Sequence, residues 1–420
     1  MSEFLKTSLE YVLHDPISGS RPKGGVNTEG EIPSLGGENV TMEGGLKLKG
    51  VKKISSDFFN SMSRGHLKNL DVLINKDGAN TGKSTIYRKS PFLNAAVNEH
   101  LFILRGKEGN LDQEYLHYLL QLSSIRALIE KKITGSAQPG LNSTFVKNFP
   151  IDLAPLPEQK KIASILISVD NVIEKTQSQI EKLQDLKKGM MNELLTKGIS
   201  HTEFKDSELG RIPKSWSVKR LSEVTTQTKG LTYKSDDYGD ENNGLPFLTL
   251  KSISKSGGYS PVGLKFYKGD FKPHHLIESG NILFANTDLT RDGDVVGSPL
   301  YFDSFEFQTK PLYSMDLSKL VVNPSQSDGR FLYYLLMTDR IKRFMINASA
   351  GSTVLHLDTK SVKSLLISLP PLREQKKIAS ILFSMDEIIE KKKHKILQTQ
   401  SLKKSLMQDL LTGKVRVKVN

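Results

Sequence analysis

Cysteine is absent from the 420 residues. Its absence excludes disulfides, thiolate metal sites and cysteine nucleophiles, and it fits a cytoplasmic protein. No apolar run approaches the roughly 18 residues needed to span a bilayer, so no membrane association is expected. The opening residues Met1-Ser2-Glu3-Phe4-Leu5-Lys6 contain no apolar h-region, and no secretory signal is expected. Neither an Asn-Pro-Pro-Tyr/Phe methylation motif nor a G-x-S-x-G elbow occurs. The nine histidines are scattered, and His274-His275 lacks an evident third ligand, so no metal site is expected. Charged residues at 25% and hydrophobic residues at 37% exclude wholesale disorder. The length corresponds to about two to four domains.

What is present begins with charge. The formal net charge is +13, from 59 Lys+Arg against 46 Asp+Glu. A basic balance favours a polyanionic partner such as nucleic acid. The surplus is three over residues 1–154, one over 155–200, two over 201–370, five over 371–414 and two in the last six residues. It is concentrated toward the C-terminal end, so charge alone leaves nucleic-acid binding and a solvated basic helix both open.

An internal repeat decides the organisation. Pro155-Leu156-Pro157-Glu158-Gln159-Lys160-Lys161-Ile162-Ala163 returns as Pro371-Leu372-Arg373-Glu374-Gln375-Lys376-Lys377-Ile378-Ala379, at an offset of 216 residues. Carried without a gap from 155–198 onto 371–414, that offset gives 25 identities in 44 positions. It also places Leu116, Tyr118, Leu119 and Leu120 on Leu332, Tyr334, Leu335 and Leu336, and Gly135-Ser136 on Gly351-Ser352. Further upstream the halves diverge. The order is variable module, similar helix, variable module, similar helix.

The repeated segment reads as a long helix. Apolar residues recur at Ile162, Leu166, Val169, Ile173, Ile180, Leu183, Leu186, Met190 and Leu194, and in the second copy at Ile378, Leu382, Met385, Ile389, Ile396, Leu402, Leu406 and Leu410. Spacings of three and four make one stripe, the pattern of a coiled-coil seam. Thr176 and Lys392 interrupt it. Pro157 suits a first turn, and Gly198 and Gly413 are natural stops. About 39 residues at ~1.5 Å each give a rod of roughly 58 Å. A helix that long with one stripe needs a partner, and the other copy, running antiparallel, is the nearest available; the alternative is that each helix packs on its own module.

The modules read as mixed α/β. Strand-like runs occur at Asp71-Val72-Leu73-Ile74 and Asn281-Ile282-Leu283-Phe284, and helices near 112–131 and 328–346 close each module. The expected class is therefore α+β. Recognition-type modules at 1–154 and 199–370 are joined by long helices at 155–198 and 371–413, with a C-terminal strand or tail at 414–420. The helices form an antiparallel coiled coil in a pseudo-two-fold internal repeat.

Enzyme motifs fail on inspection. Thr81-Gly82-Lys83-Ser84 resembles the end of a P-loop, but that motif needs a glycine at position 77, which is Asp. Glu158-Gln159-Lys160 and Glu374-Gln375-Lys376 are formally E-x-K, yet they stand at helix starts, where a glutamate is favourable electrostatically. No catalytic residue is expected in this chain.

Two variable modules alternating with two helices that each open on Pro-Leu-x-Glu-Gln-Lys-Lys-Ile-Ala resemble the specificity (S) subunit of type I restriction-modification systems. The segment Ser207-Glu208-Leu209-Gly210-Arg211-Ile212-Pro213-Lys214-Ser215-Trp216 is a second family hallmark. The resemblance covers essentially the whole chain. It implies that each module is a target recognition domain reading one half of a bipartite double-stranded DNA sequence. It further implies that the helices set the separation and dock two methyltransferase (M) subunits. S-adenosylmethionine is then expected in the methyltransferase and no cofactor in this chain, and a restriction (R) subunit joins the assembly. A non-catalytic two-module adaptor with a coiled-coil spacer is the competing reading.

Base reading needs exposed loop side chains at groove edges, with Lys and Arg on phosphates. The candidates are Arg21, Lys23, Asn80, Lys83 and Gln138 in the first module, and Lys229, Tyr233, Lys234, Arg291 and Ser352 in the second. One departure from the family pattern stands out. At the 216 offset Trp216 falls before Met1, so the first module lacks this lead. The tail Val415-Arg416-Val417-Lys418-Val419 alternates like a strand and is expected to return to the first module and supply what is missing, the alternative being a frayed basic tail.

Overall fold

The structure, a computed structural model, describes residues 4–23, 30–41, 44–88, 92–135, 139–290, 292–303 and 307–419. The chain divides into two compact units, one of Met1–Gln177 with His394–Asn420 and one of Ser178–Lys393. Each holds one module and part of both long helices, Leu156–Thr196 and Leu372–Leu411. Among the described residues no helix is long and apolar enough to cross a membrane.

In the first unit the strands Ile17–Ser18, Leu101–Leu104, Val72–Asn75 and Ser84–Ile86 lie in that order as an antiparallel sheet. A second sheet orders Lys53–Ile54, Ile32–Leu35 and Ala96–Val97, the last pair parallel. The second unit repeats the plan. Thr225–Lys229, Leu317–Val322, Ile282–Ala285 and Pro299–Tyr301 form the antiparallel sheet, and Leu264–Tyr267, Leu245–Leu248 and Leu312–Tyr313 match the second one. The expected strands at 71–74 and 281–284 are thus central strands, fully buried as their unbroken apolar runs require. Each closing helix is two: Gln113–Gln121 then Ser123–Lys131, and Gly329–Leu336 then Asp339–Asn347. The first break falls at Leu122, whose extended ψ of 134° ends the helix.

The helix-start motif works as a hub. Gln159 is buried; its Oε1 accepts from the Asp112 N–H at 2.8 Å and its Nε2 donates to the carbonyls of Ala154 at 2.8 Å and Asn110 at 3.1 Å. Gln375 repeats this with the Asp328 N–H at 2.9 Å and the carbonyls of Pro370 at 2.9 Å and Gln326 at 3.3 Å. A buried amide is tolerable only when its donors and acceptor are met, which ties the motif to the junction of module and helix. Pro157 lies in the first turn, as expected. Gly198 and Gly413 follow the helix ends at φ of +71° and +72°, a backbone that any Cβ would strain.

Inside each unit the long helices pack antiparallel. In the first, Met407, Leu410 and Leu411 join Ile162 and Leu166 in one core. Lys403 pairs with Asp170 at 2.7 Å and Arg416 with Glu158. In the second, Lys187 pairs with Asp386 at 2.5 Å, and Lys392 donates to Gln179 at 2.8 Å. As numbers rise along one helix they fall along the other. Ile162, Leu166, Ile180, Ile378, Leu382, Ile389 and Leu410 are buried; Val169, Ile173, Leu183, Met190, Leu194, Met385, Ile396 and Leu406 are half-buried.

The seam expected at Leu402 needs correction. Leu402 and its repeat partner Leu186 are each 54% exposed. The three-four phase passes instead through Lys403 and Lys187. Each of these lysines ion-pairs with an aspartate of the other helix and lies over a tyrosine ring, Tyr118 at 5.3 Å and Tyr334 at 5.2 Å. Those tyrosines donate to the same aspartates, Tyr118 to Asp170 and Tyr334 to Asp386, both at 2.7 Å. Lysine stems can occupy a seam when the ammonium is paired at its rim. Thr176 does not interrupt the stripe either: it is buried, and its hydroxyl returns to the Val172 carbonyl at 2.7 Å.

His117 carries a pH consequence for the first unit. It is 6% exposed, and burial first, then Lys403 and Arg88, pushes its pKa from 6.5 down to about 3. The folded ring stays neutral where the unfolded one protonates, so stability is intact above the unfolded pKa and lost as pH falls below 6.5. The loss at pH 5 is about 2 kcal/mol at ~1.4 kcal/mol per pH unit. Chemical denaturation at pH 7 and pH 5 should show this loss in the parent protein and a smaller one in His117→Phe.

Candidate nucleic-acid interface

In both units four chain segments converge at one end of the antiparallel sheet, where its strands begin and end, and most of the candidate readers lie on them. In the first unit these are the segment after Ile17–Ser18, the 76–83 loop, the turn at Asn98–His100 and the described residues Pro139–Gly140. Arg21 Nε is ion-paired with Glu99 Oε1 at 2.7 Å. Lys76 donates to the Glu99 carbonyl at 3.0 Å, and His100 Nδ1 donates to Asp77 Oδ1 at 2.6 Å. The Leu141 N–H donates to the Lys76 carbonyl at 2.6 Å, and Thr81 reaches the Pro139 carbonyl at 3.4 Å.

In the second unit the corresponding segments are 229–234, residues 286–290 and 292–298, the turn at Ser314–Asp316 and the hairpin of Ser349–Ala350 and Leu355–Leu357. The Met315 N–H donates to the Leu231 carbonyl at 2.8 Å, and the Asn286 N–H to the Asp316 carbonyl at 2.7 Å. Thr287 and Asp288 pair with His356 and Leu355. Asp288 is the anchor of its loop. Its carboxylate accepts from the Thr290 N–H and hydroxyl, both at 2.7 Å, from the Val296 N–H at 2.9 Å and from the Val295 N–H. Burial alone would raise this carboxyl; these bonds outweigh it and hold the pKa below the ordinary aspartate value.

The individual candidates fare differently. Arg21 and Lys23 are exposed, Arg21 with its head against Glu99. Asn80 and Lys83 are half-buried and bonded to each other, Lys83 Nζ donating to Asn80 Oδ1. The strand Ser84–Ile86 follows Lys83 directly, where a P-loop would open a helix. Lys229 and Lys234 are exposed, as is Ser352. Tyr233 is committed to a ring cluster with Tyr238 and Phe247, at centroid distances of 5.4 and 5.2 Å. Gln138 and Arg291 lie outside the described residues. Among the described residues no group of three His, Asp or Glu could hold a metal.

Sequence reasoning missed Asp77, Glu99 and His100 in the first unit, and Asn286, Leu289, Met315 and Asp316 in the second. They sit in turns far apart in sequence, and only strand pairing brings those turns together.

The two helix starts are closed differently. In the second unit Glu374 accepts from Trp216 Nε1 at 3.1 Å, from His201 Nε2 at 2.8 Å and from the Ile199 N–H at 3.0 Å. In the first, Arg416 grips Glu158 through Nε at 2.8 Å and through Nη2. The tail therefore returns to the first module as expected, but not as a strand: residues 414–419 are irregular. Nor does the first module lack the lead aromatic. Leu5 pairs with Leu153 as Ser217 pairs with Leu369, which puts Phe4 where Trp216 stands. The Arg416 guanidinium lies 5.0 Å from the Phe4 ring. Phenylalanine has no N–H to give the glutamate, and the arginine provides the donors instead.

A duplicated α/β module alternating with paired long helices defines a class, and the comparisons with known proteins agree. The type I restriction modification DNA specificity domain matches residues 19–184 and again 213–399. The chain belongs to that family. It is 32% identical over 357 residues to the type I restriction enzyme MjaVIII specificity subunit of Methanocaldococcus jannaschii, covering 83% of this chain and 80% of that one. The putative MjaX specificity subunit of the same organism is 35% identical, covering 80% and 76%. The crystal structure of the type I S subunit from M. genitalium superposes with a TM-score of 0.60 at 16% identity, over 97% of this chain and 96% of that one. A structure from a study of type I R-M complex assembly and conformational transition gives 0.59 at 17% identity, over 99% of both chains. At those identities the two structures speak for the fold alone.

Proposed function

We propose that this chain is the sequence-specific DNA-recognition subunit of a type I restriction-modification complex. Each module reads one half of a bipartite target with the four segments gathered at one end of its sheet. The observation that carries this reading is that one topology occurs twice and presents different side chains at the same end of the sheet, alongside membership of the family. The chain itself is non-catalytic; methylation with S-adenosylmethionine and cleavage belong to M and R subunits.

The long helices dock the methyltransferase and set the spacer. Supporting this, exposed apolar residues flank each inter-helix ion pair: Val172 and Leu402 beside Asp170–Lys403, and Ile388 and Leu186 beside Asp386–Lys187. An apolar patch that occurs once per unit in equivalent positions suits two copies of one partner. Replacing Val172 and Leu402 by Glu is expected to leave one methyltransferase copy bound instead of two, read as the mass of the purified complex.

The function is tested by reconstituting the chain with its methyltransferase and mapping methylated sites. Two short blocks separated by unread bases are expected. Methylation at the same sites without this chain, or at one contiguous block, overturns the reading.

A further inference from the structure

We propose that the second unit reads a thymine through its 5-methyl group, with Leu289 and Met315 as the specificity-determining side chains. The inference rests on the DNA-recognition reading above and specifies what one module recognises.

Leu289 is 66% exposed and Met315 39% exposed, on turns whose other described residues are mostly buried or half-buried, while the neighbouring segments carry the exposed polar residues Lys229, Lys234 and Ser352. A lone exposed leucine needs no explanation on an ordinary surface. These two differ in how they are held. Leu289 follows Asp288, whose carboxylate collects four donors, and the residues just before it are paired with Leu355 and His356. Met315 is fixed through its N–H to Leu231 and through its carbonyl, which accepts from Asn286 Nδ2 at 3.3 Å. Thr287 joins the two turns again, donating to Asp316 Oδ1 at 3.4 Å. Both apolar side chains therefore project from backbone that is already ordered, so little further ordering opposes binding.

An apolar side chain cannot read a hydrogen-bonding edge. In the major groove only thymine offers a methyl group, and apolar contact with it is how such side chains discriminate. Lys229 and Lys234, on the segment bonded to Met315, carry the charge that a phosphate backbone requires. The first unit is built otherwise at the same place. The Lys76 N–H donates to the His100 carbonyl as the Asn286 N–H does to that of Asp316. Glu99 therefore stands where Met315 does, and Gly78-Ala79-Asn80 occupies the shorter loop. Methyl reading is accordingly a property of one half-site.

The test uses the reconstituted complex of this chain with its methyltransferase on its mapped target. Each thymine is replaced in turn by deoxyuridine, which removes only the methyl. Affinity is expected to fall about three- to fivefold at one or more positions in one block, and to be unchanged in the other. Leu289→Ala should bind the thymine and uridine targets equally. If every uridine target binds like its thymine parent, or if both blocks lose affinity alike, the proposal is wrong while DNA recognition stands. If the parent complex shows no sequence preference at all, the functional reading itself fails. The uridine series on the parent protein decides the matter even if Leu289→Ala does not fold.

Discussion

Inserting one heptad after Ile180 and another after Ile396 should lengthen the spacer between the two recognised blocks by a few base pairs and leave both blocks unchanged. The insertions fall at equivalent points of the repeat. Seven residues add ~10 Å to each helix and preserve the three-four phase that runs through Ile180, Leu183, Lys187 and Met190. They also leave the cores of both units intact, since the anchored ends, Ile162 and Leu166 with Met407 and Leu410, and Leu195 with Ile378 and Leu382, lie away from the insertion points. B-DNA rises ~34 Å per turn of about ten base pairs, so ~10 Å corresponds to about three. Methylation-site mapping before and after insertion reads the outcome directly. A folded, active variant that keeps its original spacer would show that the helices are not the ruler.

The second large effect concerns stability. Ile389 is 4% exposed, whereas Ile173, its repeat equivalent, is only half-buried. Aspartate at 389 loses the isoleucine contacts and must bury or protonate a carboxylate, costing about 4 kcal/mol or more. Against a typical total of about 5–15 kcal/mol that is enough to unfold the second unit at moderate temperature. Ile173→Asp can turn its carboxylate toward water and should cost about half as much. Ile389→Val, which removes one methylene, should cost only about 1 kcal/mol. Denaturant titrations of the three variants check the order; equal losses for Ile389→Asp and Ile173→Asp would contradict the burial difference.

The parts legible in the sequence were those where the repeat is ungapped. A constant offset exposes the helices, their stripe, the paired Glu-Gln and the terminal glycines. The modules escape because their loops differ in length. Strand Val72–Asn75 answers to Ile282–Ala285 at an offset of 210, while Leu101–Leu104 answers to Leu317–Leu320 at 216. Between them, eight loop residues at 76–83 face thirteen at 286–298. A gapless comparison loses the correspondence there, and with it the turns that meet at one end of the sheet. The exposed Leu402 was misread for another reason. Hydrophobicity favours leucine over the adjacent lysine, whereas helical phase favours Lys403, and phase prevailed because Asp170 and Tyr118 supply partners for the ammonium. The Phe4 and Arg416 arrangement was half visible: the tail's return could be inferred, but not that one arginine would do the work of a tryptophan and a histidine.

One ion pair bears on how such chains can exchange parts. In the first unit Arg88, just past a strand, pairs with Glu114 of the following helix at 3.5 Å. In the second unit the positions are the same and the signs reversed, with Asp303 facing Arg330 at 3.2 Å. A crossover inside a module, between strand and helix, would set Arg88 against Arg330 or Asp303 against Glu114, like charges at contact distance. A crossover at Pro155 or Pro371 separates no such pair, and it delivers each incoming module to a glutamine hub with the same backbone partners. Shuffled descendants of this gene that still fold should therefore be joined at the helix starts and not within the modules.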